Sequence, residues 1–219
     1  MNKLFLATVL LLMAVSFTRP GLTYAQELEP IKLLKPQMDR GKPLMQVLKD
    51  RKSTRDNYDN KQLPLQELSN LLWAAFGVNR PDSGYRTAPS ARNWQETDIY
   101  VALANGLFLY DAKAHTLNPV LAEDIRALTG KQEFVATVPV DLIYVADFSR
   151  IPDTMSDDQK VFYSAAATGF ISQNVYLYCA SEGLVTVVRG LVDKPALSKA
   201  MKLRPDQKIT LSQSVGYPK

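Results

Sequence analysis

The sequence contains very few of the residues on which many catalytic and metal sites depend. Its 219 residues include one cysteine, Cys179, and one histidine, His115. A single cysteine excludes an intrachain disulfide and a cysteine-rich zinc site, and a single histidine argues against a histidine-ligated metal centre or a Ser-His-Asp triad. We therefore predict no metal site and expect any catalysis to use other chemistry.

A strong charge of either sign is also lacking. Lysine and arginine number 26 against 22 acidic residues, which gives a formal net charge of +4. No basic cluster is interleaved with aromatic residues, as a nucleic-acid surface would require. We predict that the protein does not bind nucleic acid. The composition is otherwise that of an ordinary globular domain, with 46% hydrophobic residues.

The first 25 residues have the layout of a secretory signal. Lys3 precedes an apolar run over residues 4–17, and Thr23 and Ala25 place small residues where a signal peptidase reads them. The run is shorter than the roughly 20 residues that span a bilayer. We predict that residues 1–25 are a signal peptide and that the protein is exported to the bacterial periplasm, with no membrane attachment after cleavage. The alternative is an uncleaved anchor helix.

The mature chain divides into an arm and one domain. Residues 26–42 are polar, carry two prolines and predict an extended N-terminal arm, and residues 43–219 form the domain. Asn105-Gly106 predicts a tight hairpin turn. The lack of a regular βαβ alternation indicates a mixed α+β fold. The predicted helices are 43–50, 65–76, 120–128, 156–182 and 195–201, and the predicted strands are 99–103, 107–110, 138–146, 184–188 and 209–216.

The longest predicted helix, 156–182, has no charged residue between Val161 and Ser181. A surface helix of a monomer normally shows a charged face. Polar residues such as Ser164 and Thr168 make the segment unsuitable for crossing a membrane. Two explanations remain open from the residues alone: the helix lies inside the domain, or it forms a dimer interface.

Three short segments could contribute to a ligand site. Residues 51–55 contain three cations and two hydroxyl groups, which suit a phosphate, although a solvated basic turn would look the same. Residues 87–95 form a loop of short polar side chains that could bond to a flat heterocycle, or an ordinary turn. Gly190 follows a predicted buried strand, where it either lets the backbone approach a ligand or simply ends the strand.

Taken in order, these segments resemble the nitroreductase superfamily of FMN enzymes. The resemblance covers residues 45–218 and rests on the order and spacing of several weak motifs. Residues 71–80 and 106–110 look most like the thiazoline/oxazoline dehydrogenase branch. The matching parts are Arg51-x-Ser53-x-Arg55, Pro89-Ser90-x-x-Asn93-x-Gln95, Gly169, Gln173, Asn174, Leu177, Gly183-Leu184, Gly190 and Gly216-Tyr217-Pro218.

The resemblance implies a fold and a site. The fold would be the α+β nitroreductase fold, a central and mostly antiparallel sheet flanked by helices, in an intertwined homodimer with FMN at the subunit interface. Arg51 and Ser53 would hold the phosphate, and Arg55 would reach the ribityl or pyrimidine side. The backbone N–H groups of Gly190 and Leu191 would face the flavin ring, and no catalytic side chain is implied. The implied cofactor-binding residues are Arg51, Lys52, Ser53, Arg55, Arg189, Gly190, Leu191 and Lys219, together with Pro89, Ser90, Ala91 and Asn93 supplied by the partner subunit.

The implied activity is a two-electron oxidoreductase that works by a ping-pong scheme on a small-molecule substrate, with NAD(P)H or another electron donor. Two departures bear on it. Only Lys219 follows the closing Gly216-Tyr217-Pro218, where the family often has further basic residues. A flavin-binding or scaffold protein without redox turnover is therefore the alternative. Arg189 stands where an apolar residue is common, and it would bind an anionic substrate or form an outward salt bridge.

Overall fold

The computed structural model describes residues 28–219, so the predicted signal peptide, residues 1–25, lies outside the described part of the chain. None of the helices in residues 28–219 is both long enough and apolar enough to cross a membrane. The helices are α1 (Leu44–Asp50), α2 (Leu65–Phe76), α3 (Asp157–Glu182) and α4 (Lys194–Ala200). The strands are β1 (Ile31–Lys32), β2 (Val78–Arg80), β3 (Tyr85–Arg86), β4 (Thr97–Leu103), β5 (Gly106–Asp111), β6 (Thr116–Leu121), β7 (Val140–Asp147), β8 (Val185–Arg189) and β9 (Gln207–Gly216).

A seven-stranded sheet of order β1-β6-β5-β4-β7-β9-β8 forms the centre of the domain. Every neighbouring pair in it is antiparallel. All eight residues of β7 are buried, as its apolar and β-branched sequence predicts. Helices α2 and α3 cover one face of the sheet, and Leu197 and Met201 at α4 pack on the other. The predicted α+β class and the helix-flanked antiparallel sheet are confirmed.

The hairpin between β4 and β5 turns one residue earlier than predicted. Leu103 pairs with Gly106, so the two turn residues are Ala104 and Asn105 rather than Asn105-Gly106. Gly106 belongs to β5 and has a φ of 150°. A Cβ atom there would meet the backbone oxygen of Leu121 on the neighbouring strand. The glycine is therefore required by close approach of β6 and not by the turn.

The helix predicted over residues 120–128 is wrong. Residues 116–121 form β6, which pairs along β5, and only Arg126–Leu128 makes a single 3-10 turn. Pairing with β5 outweighs the weak helical periodicity here, because local propensity is a weak preference that tertiary contacts override. Pro119 is tolerated because β1 pairs only with residues 116 and 117 and leaves that stretch of the outer side of β6 unpaired.

Helix α3 begins and ends as the sequence predicts. Ser156 and Gln159 form a reciprocal capping box at its start, and Gly183 ends it in the left-handed conformation with a φ of 76°. The helix is not internal to the domain, however. Phe162 is 67% exposed and Phe170 is 50% exposed, on a face that carries no charge. Within one chain, the explanation by an internal helix is therefore excluded.

The N-terminal arm crosses the domain surface and is fixed by His115. The histidine is half-buried, and its Nε2 lies 2.8 Å from the Ser69 hydroxyl of α2. The same nitrogen lies 3.1 Å from the backbone oxygen of Leu34 in the arm, and its Nδ1 lies 3.0 Å from the Tyr110 hydroxyl. The imidazole therefore ties the arm to both the sheet and α2. Cys179 is buried.

Candidate functional site

A cavity of about 370 Å³ lies where β8 ends. It brings together five of the residues predicted from the sequence: Ser53, Arg55, Arg189, Gly190 and Leu191. Segments far apart in the sequence therefore meet at one edge of the sheet. Five further residues line this cavity: Gln132, Phe134, Tyr176, Val187 and Val188.

The position of β8 explains why this edge can bind a ligand. Strand β8 is the last strand of the sheet, so alternate backbone N–H groups have no neighbouring strand to pair with. The Val188 N–H points outward and donates to the Tyr176 hydroxyl at 2.9 Å. Two residues further on, the alternation directs the Gly190 N–H the same way. Within residues 28–219 the N–H groups of Gly190 and Leu191 donate no hydrogen bond, and both residues are exposed.

Tyr176 joins the basic segment 51–55 to this strand. Its hydroxyl lies 2.8 Å from the Ser53 hydroxyl, and the Arg51 guanidinium lies 5.4 Å from its ring centre. The Thr54 N–H also donates to the backbone oxygen of Thr186 on β8, at 3.0 Å. Of the tyrosines Tyr163, Tyr176 and Tyr178 on α3, Tyr176 is the one that lines this cavity.

Lys52 and Lys219 lie beside the cavity but do not line it. Lys52 lines a neighbouring cavity of about 350 Å³ between α3 and the closing segment of the chain. That closing segment pairs with the residues that follow the basic segment, because the Lys219 N–H donates to the backbone oxygen of Asn57 at 3.0 Å. The Lys219 side chain is exposed.

The second predicted segment lies elsewhere in the same chain. No residue of the 87–95 loop lines the cavity at β8. Within this loop Arg92, Asn93 and Gln95 all have positive φ, a conformation that costs energy for non-glycine residues. The Ser90 hydroxyl holds the loop by accepting the Gln95 N–H at 2.9 Å, and Trp94 meets Tyr163 of α3 edge to face. The structure thus separates Pro89, Ser90, Ala91 and Asn93 from the other predicted site residues.

The Arg189 side chain faces the interior, where neither predicted role places it. Its guanidinium donates to Asp141 at 2.7 Å, to the backbone oxygen of Thr129 at 2.8 Å and to the Ser214 hydroxyl at 2.8 Å. The side chain is only 3% exposed. The salt bridge is therefore inward and not outward, and the guanidinium is not available to an anionic substrate in this arrangement.

Asp141 is the least expected ionisable group near the cavity. Burial raises the pKa of its carboxyl group from 3.8 to about 7, although Arg189 and the Ser214 hydroxyl act in the opposite direction. The sequence placed Asp141 inside an apolar strand and gave no sign of a partner. Only the register of β7 against β9, which sets Asp141 opposite Ser214, reveals that Ser214 is a partner of Asp141.

The fold and the cavity define the class of protein: an α+β domain with a ligand cavity at the edge of an antiparallel sheet, walled by a basic segment and exposed backbone donors. Residues 48–217 match the nitroreductase family. The chain belongs to this family of oxidoreductases.

Relatives agree with this assignment. A protein of Methanocaldococcus jannaschii named as a nitroreductase is 33% identical over 171 residues, which cover 74% of this chain and 85% of that protein. A crystal structure from Ralstonia eutropha, also named as a nitroreductase, has a TM-score of 0.83 at 45% identity and covers 88% of this chain and 90% of that chain. The NADPH:FMN oxidoreductase of Vibrio harveyi, complexed with NAD+, has a TM-score of 0.60 at 16% identity, and the match covers 80% of this chain and 68% of that chain. At that identity the likeness shows the fold alone.

Proposed function

We propose that the protein is an FMN-dependent oxidoreductase that transfers two electrons by a ping-pong scheme. The observation that carries the proposal is the pair of free backbone N–H groups at Gly190 and Leu191, set beside Ser53 and Arg55 in one cavity. Hydrogen-bond donors on an open strand edge fit the acceptor-bearing edge of a flavin ring. The adjoining hydroxyl and guanidinium groups fit a phosphate and a polyol chain.

The residues present would act by binding and by electrostatics. FMN, when bound, supplies the hydride chemistry that this chain lacks. Arg51 and Ser53 would hold the phosphate, and Arg55 would contact the ribityl or pyrimidine side. The N–H groups of Gly190 and Leu191 would stabilise negative charge at the ring edge, because they are fixed by the strand before the reaction begins. This division of work requires neither His115 nor Cys179.

We propose that the functional unit is a homodimer joined through α3. The uncharged exposed face of α3, with Phe162 and Phe170, supports it, since exposed apolar area of this kind is characteristic of an interface. A groove of about 790 Å³ between α3 and β9, lined by apolar and charged residues, adjoins this face. A second copy would also explain the 87–95 loop: its strained conformation is consistent with a loop that completes the cavity of the partner subunit.

Two kinds of electron donor are compatible with the proposal. NAD(P)H is the first candidate, and the Vibrio harveyi oxidoreductase is named for NADPH. An exported enzyme would meet little NAD(P)H, so direct oxidation of a small-molecule substrate is the other candidate. The dehydrogenase-like segments 71–80 and 106–110 favour that second candidate. Anaerobic mixing of the FMN-loaded protein with each donor tests both, because a productive donor bleaches the flavin band.

The decisive experiment is a visible absorption spectrum of residues 26–219 after incubation with FMN and desalting. We expect a flavin band equivalent to about one FMN per chain, as a site built once in each chain requires. The double variant Arg51→Ala/Arg55→Ala should lose the flavin band, while its circular dichroism spectrum stays that of the wild-type protein. Arg204→Ala is the matched control, because it removes an exposed arginine that pairs with Asp147 away from the cavity. A colourless wild-type protein would contradict the proposal and favour a scaffold role.

A further inference from the structure

The residue that precedes the proposed flavin-facing backbone is a buried cation with acceptors on three separate residues. Arg189 ends β8, and its two terminal nitrogens reach Asp141, the Thr129 backbone oxygen and the Ser214 hydroxyl. Within residues 28–219, however, Arg189 Nε and Asp141 Oδ2 have no partner. A buried ion pair that leaves polar atoms unsatisfied gains little stability over an apolar pair of the same volume. What distinguishes arginine here is the set of groups that its fork holds together.

The most informative of these groups is the backbone oxygen of Thr129. This oxygen also accepts the Ser212 hydroxyl at 2.6 Å, so the start of the 129–134 loop is tied to both β8 and β9. The next residue is Gly130, and a Cβ atom there would collide with the Arg189 guanidinium. The Lys131 N–H then donates to the backbone oxygen of Leu191 at 3.2 Å. The loop is thus built around the guanidinium and bonds directly to the residue that follows Gly190.

The same guanidinium also contacts Phe134, which lines the cavity. It lies 5.8 Å from the ring centre of Phe134, and Phe134 stacks on Tyr58 with ring centres 5.2 Å apart. The Tyr58 hydroxyl donates to the backbone oxygen of Thr54 at 2.7 Å. A continuous set of contacts therefore runs from Arg189 through the loop to the basic segment 51–55.

We infer that Arg189 is a positioning residue, which sets the spacing between the 190–191 backbone, the 129–134 loop and the 51–55 segment from beneath the cavity. The inference rests on the proposed function only for the identity of the ligand. Arginine is required because one planar fork bonds to acceptors on three residues at once, whereas a lysine ammonium on a flexible stem would not hold them in this geometry.

The test uses a double variant, Arg189→Met together with Asp141→Asn, so that no unpaired charge is buried. It is compared with the wild-type protein and with the exposed control Arg204→Met. Hydrogen exchange in the absence of FMN is the first readout. We expect the Lys131 amide to exchange about tenfold faster in the double variant, equivalent to the loss of one charge-assisted hydrogen bond, while the α3 amides stay protected. Unchanged exchange at residues 129–134 would overturn the inference, whatever the protein binds.

FMN affinity and the flavin spectrum are the second readout. We expect the double variant to bind FMN about tenfold more weakly, with shifted visible maxima, and Arg189→Lys not to restore the wild-type values. Wild-type affinity and an unshifted spectrum in the double variant would contradict the positioning role. If the wild-type protein itself bound no FMN, the proposed function would fail, and the exchange measurement would still decide the role of Arg189.

Discussion

At the scale of single residues, two buried acids differ in what faces them. Asp141 is fully buried but meets Arg189 and Ser214. Glu96 is also fully buried, yet within residues 28–219 neither of its carboxylate oxygens has a hydrogen-bond partner, and burial raises its pKa. The sequence shows Asp141 inside an apolar strand and Glu96 between two polar residues, Gln95 and Thr97. The difference arises because partners for Asp141 come from β8 and β9, which are far away along the chain.

Asp141 predicts a pH dependence of stability. Because its pKa rises from 3.8 to about 7 on folding, it contributes stability that is complete below pH 3.8 and lost as the pH rises through about 7. Arg189→Met removes the group that lowers this pKa, so the loss should extend to higher pH. In that single variant we also expect the unfolding free energy to fall by about 3–5 kcal/mol near neutral pH, since the buried Asp141 carboxyl group loses its charged partner and must either take up a proton or stay charged and unpaired.

Urea unfolding between pH 4 and 8 measures this effect. The double change of Arg189→Met with Asp141→Asn is the control, because it removes the titrating carboxyl group and should recover much of the lost stability. Glu96 is unchanged in all variants, so its contribution cancels in the comparison. If the single variant were as stable as the double variant at every pH, the charged pair would not be the cause.

At the scale of elements, α3 shows the limit of a sequence pattern. The capping box and the glycine end of the helix were both predictable, because they depend on residues within four positions of each terminus. The absence of charge predicted burial but not the direction from which it comes. The structure shows that one face covers the sheet and that the other is open.

The open face of α3 gives a prediction about assembly. Phe170→Glu places a carboxylate on this face, and in a symmetric dimer the change occurs twice, so we expect monomers and weaker FMN binding. The stability of each monomer should change by less than about 0.5 kcal/mol, because Phe170 is half exposed. Light scattering after size exclusion measures the mass. Leu128→Glu, at an exposed residue away from α3, is the control and should stay dimeric.

At the scale of the whole molecule, the chain combines a predicted export signal with an oxidoreductase fold. We expect the protein recovered from the periplasm of a bacterial host to begin at Gln26, because Ala25 places a small residue at the cleavage position. Mass spectrometry of the intact protein checks the start. Ala25→Arg is the matched control and should leave an unprocessed precursor in the membrane fraction. Wild-type protein that still began at Met1 would favour the anchor helix.

Much of the fold could be predicted because it depends on local patterns. Helix α2 follows from its apolar stripe, β7 from its apolar run, and α4 from a proline in its first turn. Strand β6 was missed because its hydrogen-bond partners lie on β5. The hairpin turn was predicted one residue too late, because Gly106 is required by the close approach of β6 and not by the turn. In both cases tertiary pairing outweighed local preference.

The sequence by itself determined the positions of α1 to α4, the ends of α3 and the residue types of the site, because caps, periodicity and motif spacing are properties of the chain alone. Only the tertiary structure decided that Tyr176 rather than another tyrosine joins Ser53 to β8. It also decided that Arg189 points inward to Asp141, and that the 87–95 loop stands apart from the cavity. The physical reason is that these contacts join residues on different elements, whose distances are set by strand order and helix packing.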